Sequence, residues 1–230
     1  LTMAVAGFAV GTFIAPRWHR TGALTAAEYI TASFGQATQK TYTYLFLAVS
    51  VFTSGSFLYP VAKILEVAAG VPLTASILAL GLFCIIYTSL GGLRGVMVTD
   101  VLQFVILFTA VIIAVPLSFG KVGGVQEFFA RVPEGFFRCF SGEYTPWFIF
   151  AFCLYNAVFI GGNWSYVQRY TSVRTERDAQ KVGWLFGALY LISPVLWMLP
   201  PMIYRVYNPG LSGLENENAY LLMCREALPN

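Results

Sequence analysis

Val96 to Phe119 reads VMVTDVLQFVILFTAVIIAVPLSF, 24 residues with one charged side chain, Asp100. A helix needs about 20 mostly apolar residues to cross the hydrocarbon of a bilayer, so this stretch predicts a transmembrane helix. Four more stretches of that kind run from Tyr44 to Ala69, Leu73 to Leu90, Trp147 to Tyr166 and Val182 to Ile203. A sixth, Leu1 to Ala15, is apolar but short, has no initiator Met and reads as the remainder of a span that begins before this chain. It carries neither a basic leader nor a small-residue cleavage site, so it does not read as a signal peptide. The expected architecture is an all-α membrane domain with six spans over about 1–15, 44–69, 73–90, 96–119, 147–166 and 182–203. The polar segment 204–230 follows as an external loop or short surface helix.

Composition agrees. Only 11% of the 230 residues are charged, against roughly 25% in soluble domains, and 57% are hydrophobic. A soluble globule, a disordered chain and a collagen are thereby excluded. The four cysteines, Cys84, Cys139, Cys153 and Cys224, are widely spaced without a C-x-x-C, so neither a disulfide framework nor a zinc knuckle is implied. Cys139 and Cys224 fall on the same predicted side, yet nothing in their spacing pairs them. Basic loops stay in the cytoplasm. The connections 16–43, 91–95 and 167–181 carry most of the Lys and Arg and are placed inside, with 70–72, 120–146 and 204–230 outside. Tyr42, Tyr44, Trp147, Trp164, Tyr166, Trp184 and Tyr204 lie near span ends, as an interfacial aromatic belt requires.

Lipid asks for no polar atoms, so the informative residues are those that break apolarity. Asp100 follows Thr99 and shares a helical face with Gln103. A carboxylate there needs a cation, a proton or a polar cavity, unless it is interfacial and favoured by the positive end of its own helix near Arg94. Tyr155, Asn156, Gly161, Gly162 and Asn163 interrupt the span 147–166. Adjacent glycines flanked by asparagines either weaken the helix and expose carbonyls to a ligand, or admit a neighbouring helix while each Asn bonds across the bundle. Gly7 with Gly11, Gly91 with Gly95 and Gly183 with Gly187 form three G-x-x-x-G pairs, a pattern that permits close backbone approach. Asn163-Trp164-Ser165 matches a glycosylation sequon at the inner end of a span, a coincidence. The lone His19 is expected to be solvated in a basic loop. No H-E-x-x-H, G-x-S-x-G or Walker-type loop occurs, so an enzyme is not expected. The polar residues are isolated rather than forming a continuous stripe, which argues against a channel.

The stretch Tyr87-Thr88-Ser89-Leu90-Gly91-Gly92 leading to Thr99-Asp100-Val101-Leu102-Gln103 closely resembles the sodium:solute symporter family, whose spans end in Tyr-(Ser/Thr)-x-x-Gly-Gly and resume with Thr-Asp-x-x-Gln. Val167-Gln168-Arg169 followed by Asp178-Ala179-Gln180-Lys181 resembles that family's Gln-Arg…Ala-x-Lys internal loop. Pro16 with Thr25 and Glu28 resembles the connection after its second core helix, and Ala219-Tyr220 to Leu228-Pro229 the loop before its eighth. Gly95 departs from the family's usual Ala, Ser or Pro.

The resemblance implies part of a LeuT-type inverted-repeat bundle, with this chain holding core helices two to seven. The first and eighth, between which the family's principal sodium site lies, are outside it. Asp100 then matches a carboxylate on the sodium release path and transient sodium site, with Thr99 beside it. Asn156 matches a sugar-contacting Asn and Phe159 takes the place of a gating Tyr, with Asn163 a further substrate-side residue at the interrupted helix. The seventh helix carries Tyr190 where sugar transporters have Lys, which points away from a hexose. The expected function is sodium-coupled import of a small solute across the cytoplasmic membrane by alternating access. Sodium is the coupling ion, no other cofactor is implied, and the partners are solute, sodium and membrane lipid rather than nucleic acid. The same region would serve a transport-inactive solute sensor, or a transporter coupled to protons.

Overall fold

A computed structural model of the chain describes residues 1–138, 140, 142, 144–210 and 219–227, without the side chains of Val67 and Ala68. Among these the structure is entirely helical: α1 Thr2–Phe13, α2 Ala15–Thr21, α3 Ala26–Ala69, α4 Leu73–Val122, α5 Val125–Arg131, α6 Pro146–Gly162, α7 Trp164–Thr171, α8 Glu176–Tyr207 and α9 Ala219–Ala227. The chain divides into two compact units, one of Leu1–Thr25 with Leu107–Asn230, the other Ala26–Ile106.

In the second unit, α3 is broken at Gly35 (φ 83°, ψ 170°) and α4 at Gly92 (φ 52°, ψ −154°). A helix of 50 residues would extend about 75 Å, more than twice the hydrocarbon thickness, so α4 must be interrupted to stay within a bilayer. The interruption falls inside the expected connection 91–95, at the one kind of residue that tolerates this backbone geometry without a Cβ clash. Ala62 and Ser76 are buried in this unit, whereas most of its Leu, Ile, Val and Phe side chains are exposed, as lipid-facing helices are.

In the first unit, α1 packs on α6 and α8, with α2 and α7 across one end. Ala6, Val10, Ala15, Ile160, Tyr170 and Ala179 form one cluster there. Val122, Phe128, Ile203, Tyr204, Val206, Ala219 and Met223 form another, joining the end of α4, α5, the C-terminal part of α8 and α9. Helices α6 and α8 each begin on a local cap. Thr145 Oγ1 accepts from Phe148 N at 3.2 Å, with Pro146 in the first turn where its missing N–H costs nothing. Thr175 Oγ1 accepts from Asp178 N and donates to the Asp178 carboxylate at 2.7 Å.

Among the described residues three helices are long and apolar enough to cross a membrane, α3, α4 and α8, and the pair α6 and α7, bent by 58° at Asn163, is apolar enough to make a fourth if it is one broken span rather than a re-entrant loop. The sequence-based count of six divides α4 at Gly92 and adds α1, which is 12 residues long. The connection 16–43 is largely helical, made of α2 and the first turns of α3, its polar Thr, Gln and Lys residues favouring a solvated helix as readily as a loop. In the segment 204–230, expected as an external loop or short surface helix, α8 continues through Tyr207, and the short helix α9 buries Ala219 and Met223 against the second cluster. Cys139 and its pairing with Cys224, the acids Glu143, Glu215 and Glu217, and the Leu228-Pro229 end of the expected loop lie outside the described residues.

Candidate functional site

Helix α6 stops where Gly161-Gly162-Asn163 removes helix propensity and supplies a cap. Asn163 is extended (φ −74°, ψ 125°), and its Oδ1 accepts from Ser165 N at 2.9 Å, starting α7 in a new direction. The Ser165 amide, which a continuous helix would give to the Gly161 carbonyl, is thereby diverted. That carbonyl is taken instead by the Trp18 indole Nε1–H at 2.6 Å. A Cβ at Gly161 would sit 3.0 Å from Ile14 Cδ1, so this glycine also admits the end of α1. The packing reading holds for Gly161, which admits a neighbour, and for Asn156, whereas Asn163 bonds locally and the released carbonyl is held by Trp18.

Asn156 lies on the inner face of α6, 2% exposed. Its amide donates to Thr2 Oγ1 on α1 at 3.2 Å and to the Phe152 carbonyl one turn back at 2.9 Å. In this conformation it is a cross-helix bond. Phe159 is 37% exposed and belongs to an aromatic row. Phe148, Phe152, Tyr155 and Phe159 stack along α6 with centroids 5.8 to 6.2 Å apart, and Tyr166 and Phe186 carry the row to Tyr190 on α8. Sequence reasoning missed Phe148, Phe152 and Phe186. The three- and four-residue spacing of the α6 rings was the available signal. Thr99 and Asp100 belong to the other unit. Thr99 Oγ1 donates to the Val96 carbonyl at 2.8 Å, and Asp100 and Gln103 are both exposed there.

Three consecutive α2 side chains bind the end of α6, the connection between α7 and α8, and the start of α8: Trp18 as above, His19 Nε2 3.0 Å from the Val173 carbonyl, and Arg20 2.7 Å from Glu176. The hydrogen bond and charge of Glu176 raise the Arg20 guanidinium above its ordinary pKa. His19 is thus docked on a carbonyl rather than freely solvated, a contact 154 residues away in sequence. Residues 16–25 and 167–181, parts of two of the connections placed on one membrane side by their charge, thus meet at one end of this unit.

The G-x-x-x-G pairs of α1 and α8 face one another. A Cβ on Gly7 would lie 2.9 Å from Gly187 Cα, one on Gly11 3.0 Å from Gly183 Cα, and one on Gly187 3.0 Å from the Ala4 carbonyl. The pair Gly91 and Gly95 has nothing within 4 Å. Among the described residues no group of three or more His, Cys, Asp or Glu side chains is gathered to hold a metal ion.

Residues 1–199 match the family model described as "Sodium:solute symporter family". Among similar proteins, the rabbit (Oryctolagus cuniculus) sodium-dependent multivitamin transporter is 31% identical over 71% of this chain and 27% of its own length. The Vibrio parahaemolyticus sodium/glucose cotransporter is 29% identical over 83% of this chain and 38% of its own. The human sodium/iodide cotransporter is 28% identical over 72% and 27%. The chain thus spans about a third of the length of the curated relatives it matches. The matching family and relatives are transporters, not enzymes.

Proposed function

The chain belongs to the sodium:solute symporter family, and on that premise we propose that it is the central part of a sodium-coupled symporter that imports a small polar or organic solute by alternating access. It is a multi-pass membrane protein, and the membrane we assign is the cytoplasmic one. The architecture we assign is a LeuT-type bundle with residues 1–230 as one transmembrane segment of it, contributing six core helices over about 1–15, 44–69, 73–90, 96–119, 147–166 and 182–203.

The observation that carries this reading is the break at Asn163. A helix bent by 58° that bears a buried Asn156 and a half-exposed Phe159 is the kind of element on which transporters build solute sites. The solute seats on α6 against Phe159, Asn156 and Asn163, with Tyr190 at the far end of the aromatic row. Sodium favours the outward-open state and leaves past Thr99 and Asp100 on inward opening. Coupling requires both ligands to favour the same state, since a ligand shifts an equilibrium only by its differential affinity.

The test is uptake by proteoliposomes of the full-length protein, with and without an inward sodium gradient. The panel covers sugars, carboxylates, vitamins, inorganic anions, amino acids and nucleosides. Sodium-dependent accumulation of one class, weakened by Asp100→Ala, is expected. Solute binding without accumulation would make it a sensor, uptake driven by pH alone would make it proton-coupled, and either result overturns the proposal.

A further inference from the structure

At the end of the first unit where α1, α2 and α8 meet, Thr12, Phe13, Pro16, Arg17, Arg20, Glu176, Arg177 and Gln180 enclose a cavity of about 240 Å³. By liquid volume that is room for roughly eight waters. Its charge is one-sided. Arg20 is neutralised by Glu176, and Arg17 and Arg177 make no ion pair among the described residues. Gln180 adds a neutral hydrogen-bonding group, while the Thr12 hydroxyl is already given to the Phe8 carbonyl. Such a pocket is built for an anion with several acceptor oxygens, and guanidinium forks match phosphate geometry.

Its surroundings select the source of that anion. The pocket opens where the apolar stretch of α1 ends, beside exposed Phe13, and Trp184 donates its indole N–H to Thr12 at its edge. Trp18 and Trp164 meet edge-on at the same end, 6.2 Å apart. Tryptophans at the foot of apolar helices mark the headgroup level of a bilayer. On α8 the positions 177, 180, 184 and 191 share one face. Two of its side chains, Arg177 and Gln180, line the pocket. The others, Trp184 and Leu191, are 45% and 48% exposed and lie further along the helix. A polar pocket thus continues into an exposed apolar track, which suits a molecule with an anionic head and a hydrocarbon tail.

We propose that this pocket is a binding site for an anionic phospholipid, its phosphate held by Arg17 and Arg177 and an acyl chain lying along Trp184 and Leu191. The lipid then bridges α1, α2 and α8 at the membrane surface. Net charge on the lipid is what the site reads, so zwitterionic lipids bind weakly.

The test uses the purified full-length protein in neutral detergent. Phosphatidylglycerol, phosphatidylcholine and water-soluble glycerol 3-phosphate are titrated separately, and bound ligand is read by native mass spectrometry. Phosphatidylglycerol is expected to saturate a site that Arg17→Gln with Arg177→Gln weakens by about fivefold per arginine, roughly 25-fold together. Arg17→Lys with Arg177→Lys keeps the charge and should retain binding within several-fold, which separates lost recognition from lost folding. Sites elsewhere are common to all variants and cancel. Unchanged phosphatidylglycerol affinity in the double Gln variant would overturn the proposal, as would equal binding of phosphatidylcholine. Glycerol 3-phosphate binding as tightly as the lipid would overturn it in favour of a soluble phosphate site. These readouts do not depend on transport, so they stand or fall apart from the symporter assignment.

Discussion

Gly183→Ala tests the close approach of α8 to α1. A methyl at this position would meet the α1 backbone directly, at Gly11 Cα, 2.8 Å from Gly11 N and 3.3 Å from the Gly7 carbonyl. Non-bonded carbon contacts settle near 3.5–4.0 Å, so α1 and α8 must part by about 0.7 Å or more, and neither backbone can step aside as a side chain could. A gap of 0.5–1 Å forfeits about a quarter to a half of each contact across it. The seam is shared by Ala4, Gly7, Phe8, Gly11, Gly183 and Gly187, so the loss is not confined to one pair. Overpacking of this kind costs about 1–3 kcal/mol, while replacing a helical glycine with alanine returns about 0.5–1 kcal/mol. The net is destabilisation by about 1–2 kcal/mol, against the helix preference of the new residue. Gly120→Ala is the control: the site has nothing within 4 Å, so only the helix preference remains and stability should hold or rise. Thermal unfolding of the full-length protein in detergent, followed by tryptophan fluorescence, should rank Gly183→Ala below wild type and Gly120→Ala at or above it. If Gly183→Ala unfolds at or above the wild-type temperature, the two helices do not touch as described.

Other substitutions separate local from long-range effects. Thr2→Val and Asn156→Leu should each cost about 0.5–1.5 kcal/mol of unfolding free energy and be non-additive, because they remove the same cross-helix bond; additive losses would show that the two side chains do not interact. Gly92→Ala should cost about 1–3 kcal/mol, seen as a lower unfolding temperature, since φ 52° with ψ −154° is closed to alanine; an unchanged temperature would mean the break lies elsewhere. Reversing the exposed pair with Arg20→Glu and Glu176→Arg should leave the unfolding temperature essentially unchanged, their side chains being 64% and 44% exposed, and a clear drop would show that the contact holds the connection in place.

How far the sequence could be read depends on the range of each interaction. Apolar runs of the length of a bilayer located α8 and both parts of α4, because hydrocarbon imposes that length on any span. The Gly161-Gly162-Asn163 interruption was visible because helix breaking and capping are local. The partners of the break were not. Trp18 is 143 residues from the Gly161 carbonyl it binds, and no local pattern marks it. The same spacing of glycines served two purposes. In α1 and α8 it makes a packed seam, whereas at Gly91 to Gly95 it surrounds a change of helix direction, and only the backbone angle at Gly92 tells them apart. Polar segments were open in the other direction, since a solvated helix such as the start of α3 has the composition of a loop.

Asn156 shows why packing and binding need not be alternatives. Its amide is satisfied by Thr2 and by the Phe152 carbonyl, so it is stable where it lies and α1 covers it. A solute that takes the Thr2 bond has to displace one hydrogen bond between helices, which in membrane proteins averages about 0.6 kcal/mol and seldom exceeds about 2 kcal/mol. That lowers affinity by less than about thirtyfold, and at the average value it is about a seventh of the free energy of even millimolar binding. Phe159, on an adjoining part of the α6 surface, is already accessible. On the solute site proposed above, a solute stacks on Phe159 first and reaches Asn156 only as the first turn of α1 yields. The glycine seam lets the two backbones interlock and so resists sliding, which leaves a local tilt or fraying of α1 at Thr2 as the cheaper opening. An arrangement of this kind keeps the site closed without solute and asks the solute's own contacts to open it.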